Sequence, residues 1–275
     1  MAKCCRQPSL ITENLQRKIQ MPNWTTGRIT KKQVWTEGLF TISVKSDGVK
    51  PFVPGQFLHL ALPGEPNPDK PDQPQRINRP YSVASPFGSE LEFFIVLVPD
   101  GELTPKLWAL EEGDAVEVSD AGAGSFTLNK APDADMLWLI ATGTGLAPYI
   151  AMLRTDQAWA SYEKIVLVHG VRHHQDLAYT EELDWFHKKF PERFKFVQSL
   201  TREEVDGCLH GRIPNLFEDG QIEKSVGWKC TADTSTVMLC RNPAMLDSME
   251  EMLGKRDMKK HRSKSPGQIV LERYW

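Results

Sequence analysis

The sequence is poor in cysteine and has no long hydrophobic run. Its five cysteines lack the spacing of a disulfide framework and of the quartet that holds an iron–sulfur cluster. This pattern favours a reducing compartment, so we expect a cytoplasmic protein. No stretch reaches the roughly 18 uninterrupted apolar residues of a membrane-spanning helix, so we expect no membrane association. The cysteines are Cys4, Cys5, Cys208, Cys230 and Cys240.

The sequence also lacks an excess of positive charge. Its formal net charge is −3 over 275 residues, whereas nucleic-acid-binding proteins are usually basic, so we expect no nucleic-acid partner. The length suits two domains of ordinary size. One basic stretch, residues 255–264, is typical of a solvated face, although it could also steer an acidic partner.

Residues 1–20 differ in character from the rest of the chain. They begin with a basic segment and contain no continuous apolar core, so they do not indicate a secretory signal. Glu13 is also atypical of a transit peptide. We interpret residues 1–20 as an N-terminal extension that the fold does not need.

Residues 21–132 are predicted to form an antiparallel β-barrel. Short alternating apolar segments separated by turn signals are typical of such folds. One helix interrupts the strands, with Thr104 as its predicted N-cap and Pro105 at its first position. The Pro-rich stretch 64–74 is either a solvated loop or a cover for a ligand. The predicted strand segments are 40–44, 58–62, 91–98 and 115–118.

Residues 133–275 are predicted to form a second domain, a doubly wound α/β parallel sheet. Buried strand-like runs alternate here with helical segments, which places helices on both faces of the sheet. The predicted strands are 136–140, 165–170, 194–198 and 237–240, and the predicted helices are 149–154, 180–189 and 244–254.

The segment Arg79-Pro80-Tyr81-Ser82 combines three groups that suit a nucleotide. An arginine can pair with a pyrophosphate through two donors. A tyrosine offers a flat face for an aromatic ring, and a serine offers a hydroxyl to a ring nitrogen. Taken alone, the segment also fits the start of a strand with an exposed charge.

Two further segments are candidate phosphate sites. Thr142–Pro148 is a glycine-bearing turn after a buried strand, and glycine lets the backbone approach a phosphate. Pro148 stands where the third glycine of a GxGxxG motif would be, so an ordinary strand–helix connection is the alternative. Gly101–Leu107 combines a hydroxyl with a helix start, and a plain capped helix is its alternative.

Three arginines follow predicted strands of the second domain, namely Arg172, Arg202 and Arg212. An arginine near a ribose accommodates an adenosine phosphate, as NADP requires. Cys240 ends a buried strand and is either core or site. The residues at 271–275 are by default a frayed tail, although a docked terminal indole could stack on a flavin.

In their order along the chain, these motifs resemble the ferredoxin/flavodoxin–NADP⁺ reductases, most closely the bacterial type with an aromatic C-terminal extension. The similarity covers roughly residues 21–275. It implies an FAD-binding antiparallel β-barrel followed by an NADP-binding α/β domain. The implied activity is hydride transfer from NADPH to flavin, followed by single-electron steps to ferredoxin or flavodoxin. The implied cofactors are FAD and NADP(H). The implied partners are acidic electron carriers, and the protein itself is implied to be a monomer.

The resemblance also implies roles for individual residues. Arg79 would hold the FAD phosphates, Tyr81 would stack on the isoalloxazine ring and Ser82 would bond near its reactive nitrogen. The implied FAD-binding set is Arg79, Tyr81, Ser82, Val83, Phe94, Ile95, Val96, Leu97, Gly101, Leu103, Thr104, Thr144, Tyr274 and Trp275. The implied NADP-binding set is Thr144, Gly145, Arg172, Arg202, Arg212, Asn242 and Pro243. The residues implied in catalysis are Ser82, Cys240, Glu272 and Trp275, and no metal site is expected.

One position departs from the family pattern. The family usually has glycine where this chain has Arg241, whose side chain would either crowd the nicotinamide or add a pyrophosphate contact. Residues 120–126 follow the family only loosely, and we assign them no role. The alternative functions are an NADH- or NADPH-linked flavin reductase or oxygenase reductase of the same superfamily, and a redox-silent flavin- or nucleotide-binding module.

Overall fold

The computed structural model describes residues 23–65, 75–88 and 90–273, whose strands form two six-stranded sheets. The first contains β1 (Trp24–Thr36), β2 (Leu39–Lys45), β3 (Phe57–Pro63), β4 (Arg76–Ser82), β5 (Leu91–Val96) and β6 (Ala115–Ser119). The second contains β7 (Met136–Thr142), β8 (Lys164–Val171), β9 (Phe194–Leu200), β10 (Leu209–His210), β11 (Ser235–Arg241) and β12 (Ile269–Arg273).

Most of the helices belong to the second half of the chain. They are α1 (Thr104–Ala109), α2 (Ala147–Leu153), α3 (Asp156–Ser161), α4 (Thr180–Lys189), α5 (Ile213–Glu218), α6 (Gln221–Val226) and α7 (Pro243–Gly254). Short 3-10 turns occur at Leu128–Lys130, Gly143–Leu146 and His174–Asp176. Within the described ranges, no helix has the length and apolar character needed to span a membrane.

The first sheet is antiparallel, with the order β4-β3-β6-β1-β2-β5. An isolated antiparallel bridge between Val83 and Phe93 links the two edge strands and curls the sheet into a barrel. Its interior contains the alternating side chains of Leu58 and Leu60, and those of Phe40 and Ile42. This alternation is what a sheet with one buried face requires, and the predicted antiparallel barrel is confirmed.

The second sheet is wholly parallel, with the order β10-β9-β8-β7-β11-β12. Both of its faces are buried. Ile165 and Leu167 of β8 pack into one hydrophobic cluster, whereas Val166 and Val168 pack into the cluster on the opposite face. Continuous apolar strands covered on both sides are typical of doubly wound sheets, and this prediction is also confirmed.

The two sheets share part of one core. Leu39 and Phe94 of the barrel belong to the same buried cluster as Leu146 and Tyr149 of the second half. Polar contacts cross the same boundary, because the Arg154 Nη1 donates to the Ala84 carbonyl at 3.0 Å. The barrel and the parallel sheet therefore meet along a packed surface.

Two local predictions were wrong. Leu103, not Thr104, is the residue before α1, and Thr104 opens the helix. The Thr104 hydroxyl instead accepts from the Val98 N–H at 2.9 Å and donates to the Val98 carbonyl at 3.1 Å, which fastens the preceding turn. Residues 271–273 are not a frayed tail, because they pair with β11 as part of β12.

Candidate functional site

The Arg79–Ser82 segment forms the end of β4 rather than the start of a strand. Tyr81 pairs with Leu58 and Ser82 with Phe57 on β3, so the segment is held from one side by a complete ladder. The Tyr81 ring is half-buried, and this burial raises the pKa of its phenol to about 12. Its hydroxyl therefore stays protonated at neutral pH. Ser82 is buried where the strand ends.

Arg79 lies on the surface next to the turn that precedes α1. Its Nη2 contacts the Glu102 carboxylate at 2.7 Å, and both side chains are exposed. An exposed ion pair contributes little free energy, so an incoming phosphate can replace the carboxylate. In that turn, the Gly101 N–H donates to the Val98 carbonyl at 2.9 Å and Leu103 is buried. Two of the predicted phosphate-binding segments are thus adjacent.

The predicted flavin-lining residues of β5 differ in their surroundings. Ile95 is buried in the barrel core, whereas Phe94 is buried in the core that the two sheets share. Val96 and Leu97 are half-buried at and after the end of the strand. The Leu97 N–H donates to the Gly38 carbonyl at 2.6 Å, which holds this end against the turn between β1 and β2.

The glycine turn after β7 lies at the carboxyl edge of the parallel sheet. Gly143 has a φ of +51°, which favours glycine. His169 of β8 lies beneath it, with Nε2 2.9 Å from the Gly143 carbonyl. Because a carbonyl can only accept, Nε2 carries the ring proton. Burial lowers the pKa of His169 to about 4, so the ring is neutral at pH 7. Its hydrogen bond to the Gly143 carbonyl holds the turn in place.

His169 was missed by the sequence analysis. The sequence does contain a signal for this residue, because His169 is a polar residue inside the otherwise apolar run of β8. Buried polar side-chain atoms without a partner among the described residues also concentrate near this edge. They lie toward the carboxyl ends of β7, β8 and β9, where an unsatisfied donor or acceptor is available to a ligand. These atoms are Thr142 Oγ1, His169 Nδ1, Gln198 Nε2 and Ser199 Oγ.

Cys240 and Glu272 face each other across β11 and β12. The thiol is fully buried, and burial together with the nearby Glu272 charge raises the pKa of Cys240 well above its ordinary value. The thiol is therefore protonated. A Cβ on Gly124 would lie 3.6 Å from Glu272 Oε1, so this carboxylate faces the loop 120–126.

The loop 120–126, to which we assigned no role, connects Glu272 to the barrel. The Ala123 backbone exchanges two hydrogen bonds of 2.9 Å with Phe57, the β3 partner of Ser82. The structure thereby gathers the end of β4, the loop and the ends of β11 and β12 into one region. Nothing in the composition of the loop singled it out, because its backbone rather than its side chains makes the connection.

The three predicted phosphate-binding arginines lie at neighbouring positions of the sheet edge. Arg172 follows β8 and Arg202 follows β9, and the Arg202 N–H donates to the Arg172 carbonyl at 3.1 Å. Arg212 stands immediately before α5. All three side chains are exposed, and none forms an ion pair with any other residue that the structure describes. Their charges are available to an anion.

Asn242 and Pro243 begin the helix that follows β11. The Asn242 Oδ1 accepts from the Met245 N–H at 3.2 Å, and Pro243 is the first residue of α7. Thr144 and Gly145 lie in the glycine turn after β7, next to the end of β11. Tyr274 and Trp275 of the predicted site, and the extension 1–20, lie outside the described residues. In the described ranges, no three His, Cys, Asp or Glu side chains are grouped as a metal site.

The donor sets fit two nucleotides. One set lies on the barrel around Arg79 and Tyr81, and the other lies along the carboxyl edge of the parallel sheet, where ligands of open α/β sheets bind. A barrel of this kind packed against such a sheet defines a two-domain oxidoreductase of the nucleotide-dependent class. In agreement, residues 139–251 match the family described as the oxidoreductase NAD-binding domain.

Comparison with known proteins narrows this class. A flavodoxin/ferredoxin–NADP reductase of Shigella flexneri is 39% identical over 259 residues, which cover 93% of this chain and 100% of the relative. A protein of the same description from Escherichia coli K12 is 38% identical over the same shares. A ferredoxin NADP⁺ reductase from Neisseria gonorrhoeae, solved with bound FAD and NADP, has a TM-score of 0.83 at 27% identity and covers 92% of this chain and 99% of its own. The chain belongs to the flavodoxin/ferredoxin–NADP reductase family.

Proposed function

We propose that this protein is an FAD-dependent oxidoreductase that transfers electrons between NADPH and ferredoxin or flavodoxin. The observation that carries the proposal is the meeting of the Ser82 strand end with the Cys240 and Glu272 strand ends through Phe57 and the loop 120–126. The relatives' names and the FAD and NADP bound to the gonococcal reductase agree with it. An NADH-linked flavin or oxygenase reductase is not favoured by these relatives.

On the barrel side, we assign FAD binding to the end of β4 and its neighbours. Arg79 would bind the phosphates in place of Glu102, and Tyr81 would offer its half-buried ring as a stacking surface. Ser82 would hydrogen-bond to the isoalloxazine, and Val83 would contribute backbone contacts. The bound flavin supplies the chemistry, accepting a hydride and releasing single electrons, while the protein fixes its position. The remaining proposed contacts are Phe94, Ile95, Val96, Leu97, Gly101, Leu103, Thr104 and Thr144.

On the parallel sheet, we assign NADP(H) binding to the carboxyl edge. Arg172, Arg202 and Arg212 would bind the adenosine 2′-phosphate, which supports a preference for NADPH over NADH. The neutral His169 ring would hold the glycine turn open toward the dinucleotide. The protonated Cys240 thiol adds no negative charge beside the nicotinamide. The remaining proposed contacts are Thr144, Gly145, Asn242 and Pro243.

The aromatic C-terminal extension also belongs to the proposal. Tyr274 and Trp275 would cover the flavin, and Trp275 would occupy the stacking place of the nicotinamide until NADPH displaces it. The position of β12 supports this, because Arg273 pairs with Arg241 at the same strand end. Truncating the indole with W275A is expected to raise nicotinamide occupancy, measured as a charge-transfer absorbance on titration with NADP⁺. Unchanged titration curves would remove the gating role.

We further propose domain limits of 21–132 and 133–275 after an extension at 1–20. The last strand of the barrel ends at Ser119 and the parallel sheet begins at Met136, which supports a boundary between them. The free thiols of Cys208, Cys230 and Cys240 support a cytoplasmic location.

A monomer without membrane or nucleic-acid partners completes the proposal. Exposed large apolar side chains of the described residues are limited to Val34, Phe87, Val98 and Trp185.

The test is a visible spectrum of the purified protein followed by anaerobic titration with NADPH. We expect a yellow protein that NADPH bleaches and that then reduces a ferredoxin or a flavodoxin. NADH at the same concentration should bleach it far more slowly. A colourless protein that does not take up FAD would contradict the proposal. A yellow protein that neither nucleotide bleaches would favour the redox-silent module.

A further inference from the structure

Arg241 has a backbone conformation that normally requires glycine. Its φ is +95°, at the point where β11 turns toward α7. The other non-glycine residues with positive φ in the described ranges, Tyr179 and Asp257, lie near +60°, the ordinary left-handed value. A long side chain at +95° is therefore an outlier, and such strain is typical of functional sites.

The Arg241 side chain lies over the glycine turn that follows β7. A Cβ on Gly145 would lie 2.8 Å from the Arg241 Cβ, so glycine is required there for the two segments to approach. A Cβ on Gly143 would lie 3.9 Å from both Nε and Cζ of Arg241. The guanidinium group therefore lies within contact range of the backbone that we assign to NADP(H).

The Arg241 guanidinium has no counter-ion among the residues that the structure describes. It forms no ion pair or hydrogen bond with any residue that the structure describes, although it is half-buried. Burial lowers the pKa of Arg241, and its positive charge helps to lower the pKa of the neighbouring His169. A partly desolvated cation without a partner is unfavourable, and a bound anion would compensate it.

The position of Arg241 along the sheet edge indicates which anion this is. The strands follow one another as β9, β8, β7 and β11, with Arg202 after β9, Arg172 after β8 and Arg241 at the end of β11. Neighbouring strands are about 4.8 Å apart, so β8 and β11 are about 10 Å apart. That separation suits a dinucleotide whose adenosine phosphate lies at β8 and β9 and whose pyrophosphate crosses the glycine turn.

Resting on the proposed function, we infer that Arg241 binds the pyrophosphate of NADP(H) and so adds a cationic contact at the glycine turn after β7. The guanidinium fork suits two phosphate oxygens. Its reach over Gly143 and Gly145 explains why the chain retains a strained arginine at this position. The other possibility, that the side chain obstructs the nicotinamide nucleotide, predicts the opposite change in affinity when it is removed.

The test is equilibrium titration calorimetry of the FAD-loaded protein with two probes, NADP⁺ and 2′-AMP. Only NADP⁺ has the pyrophosphate, whereas both carry the adenosine 2′-phosphate. In R241G and R241M, we expect the Kd for NADP⁺ to rise about tenfold or more, as for the loss of a charge-assisted hydrogen bond, while the Kd for 2′-AMP stays unchanged. R241K, which keeps the charge without the fork, is expected to fall between. The difference should shrink as salt concentration rises.

A matched control is R212A, which should weaken both probes. The FAD absorbance of each variant reports that it is folded and loaded. Equal or tighter binding of NADP⁺ by R241G and R241M would overturn the inference, and tighter binding by both would indicate obstruction. If only R241G weakened while R241M matched the unmodified protein, bulk rather than charge would be responsible, which also overturns it. Failure of the unmodified protein to bind either probe would instead count against the proposed function.

Discussion

The interface between the two sheets and the carboxyl edge of the parallel sheet use arginine in opposite ways. At the interface, the Arg154 fork contacts Glu182 through two bonds of 2.8 Å, and its Nη1 also contacts Glu92 at 3.1 Å. Burial alone would lower the pKa of Arg154, but these carboxylates raise it. At the carboxyl edge of the parallel sheet, Arg241 has no such partner among the described residues, and burial lowers its pKa.

The contrast distinguishes an arginine that stabilises the fold from arginines that are available to a ligand. Arg154 uses four of its five N–H donors on protein acceptors, so little bonding capacity is left for a ligand, and it joins the two halves of the molecule. Tyr179 extends the same network, because its hydroxyl donates to Glu92 at 2.8 Å. Arg172, Arg202, Arg212 and Arg241 have no ion-pair partner among the described residues. They contribute nothing comparable to the folded state, and their charge remains available to an anion. Changes at the two places should therefore affect different measurements.

The largest effect is expected from breaking the interface. R154M would leave Glu92 and Glu182 half-buried without their counter-ion. Loss of one partner from a buried network costs about 3 kcal/mol or more, so the free energy of unfolding should fall by about that amount in urea titrations. K255A, which removes exposed ion pairs with Glu218 and Glu251, is the control and should change it by less than about 1 kcal/mol. Equal small changes in both variants would contradict the contrast.

The next effect concerns His169, which is satisfied at one ring nitrogen only. Its pKa is about 4 when folded and about 6.5 when unfolded, so protonation favours the unfolded chain as pH falls between these values. This residue alone should remove about 2 kcal/mol of stability between pH 7 and pH 5.

The measurement is urea unfolding of the unmodified protein and of H169Q at both pH values. Glutamine can donate to the Gly143 carbonyl but does not titrate in this range. The pH-dependent loss should therefore be smaller in H169Q by that amount. Parallel losses in the two proteins would show that His169 does not carry the effect.

A smaller effect, on binding alone, is expected at the exposed arginines. R172A, R202A and R212A should each raise the KM for NADPH about tenfold, as for one lost phosphate contact, and leave the KM for NADH unchanged. Their unfolding curves should overlay that of the unmodified protein, because none of these side chains has an ion-pair partner in the part of the chain that the structure describes. An equal rise in both KM values would mean that the arginines do not read the 2′-phosphate.

The smallest effect is a gain. Glycine at position 241 would relieve the positive φ, so R241G should stabilise the protein by about 1 kcal/mol in the absence of nucleotide. Thermal unfolding with and without NADP⁺ measures it. The gain should shrink when NADP⁺ is present, because the variant binds it less tightly. A destabilised R241G would show that the side chain contributes packing that outweighs the strain.

The sequence predicted the elements whose periodicity is local. The alternation in β3 and the apolar run of β8 identified both sheets, because each pattern depends only on neighbours along the chain. The short β12 was missed, since its pairing with β11 depends on contacts distant in sequence. The positive φ of Arg241 was not predicted either, because it depends on the turn that surrounds it. Glu92 and Arg154 are 62 positions apart, and nothing local links them.

The core shared by the two sheets has a practical consequence for protein engineering. Leu39 and Phe94 on one side pack with Leu146 and Tyr149 on the other, so cutting the chain near residue 132 would uncover apolar surface on both fragments. We expect each fragment produced alone to aggregate. Chimaeras that exchange the parallel sheet with that of a relative will need to import the matching barrel side chains as well.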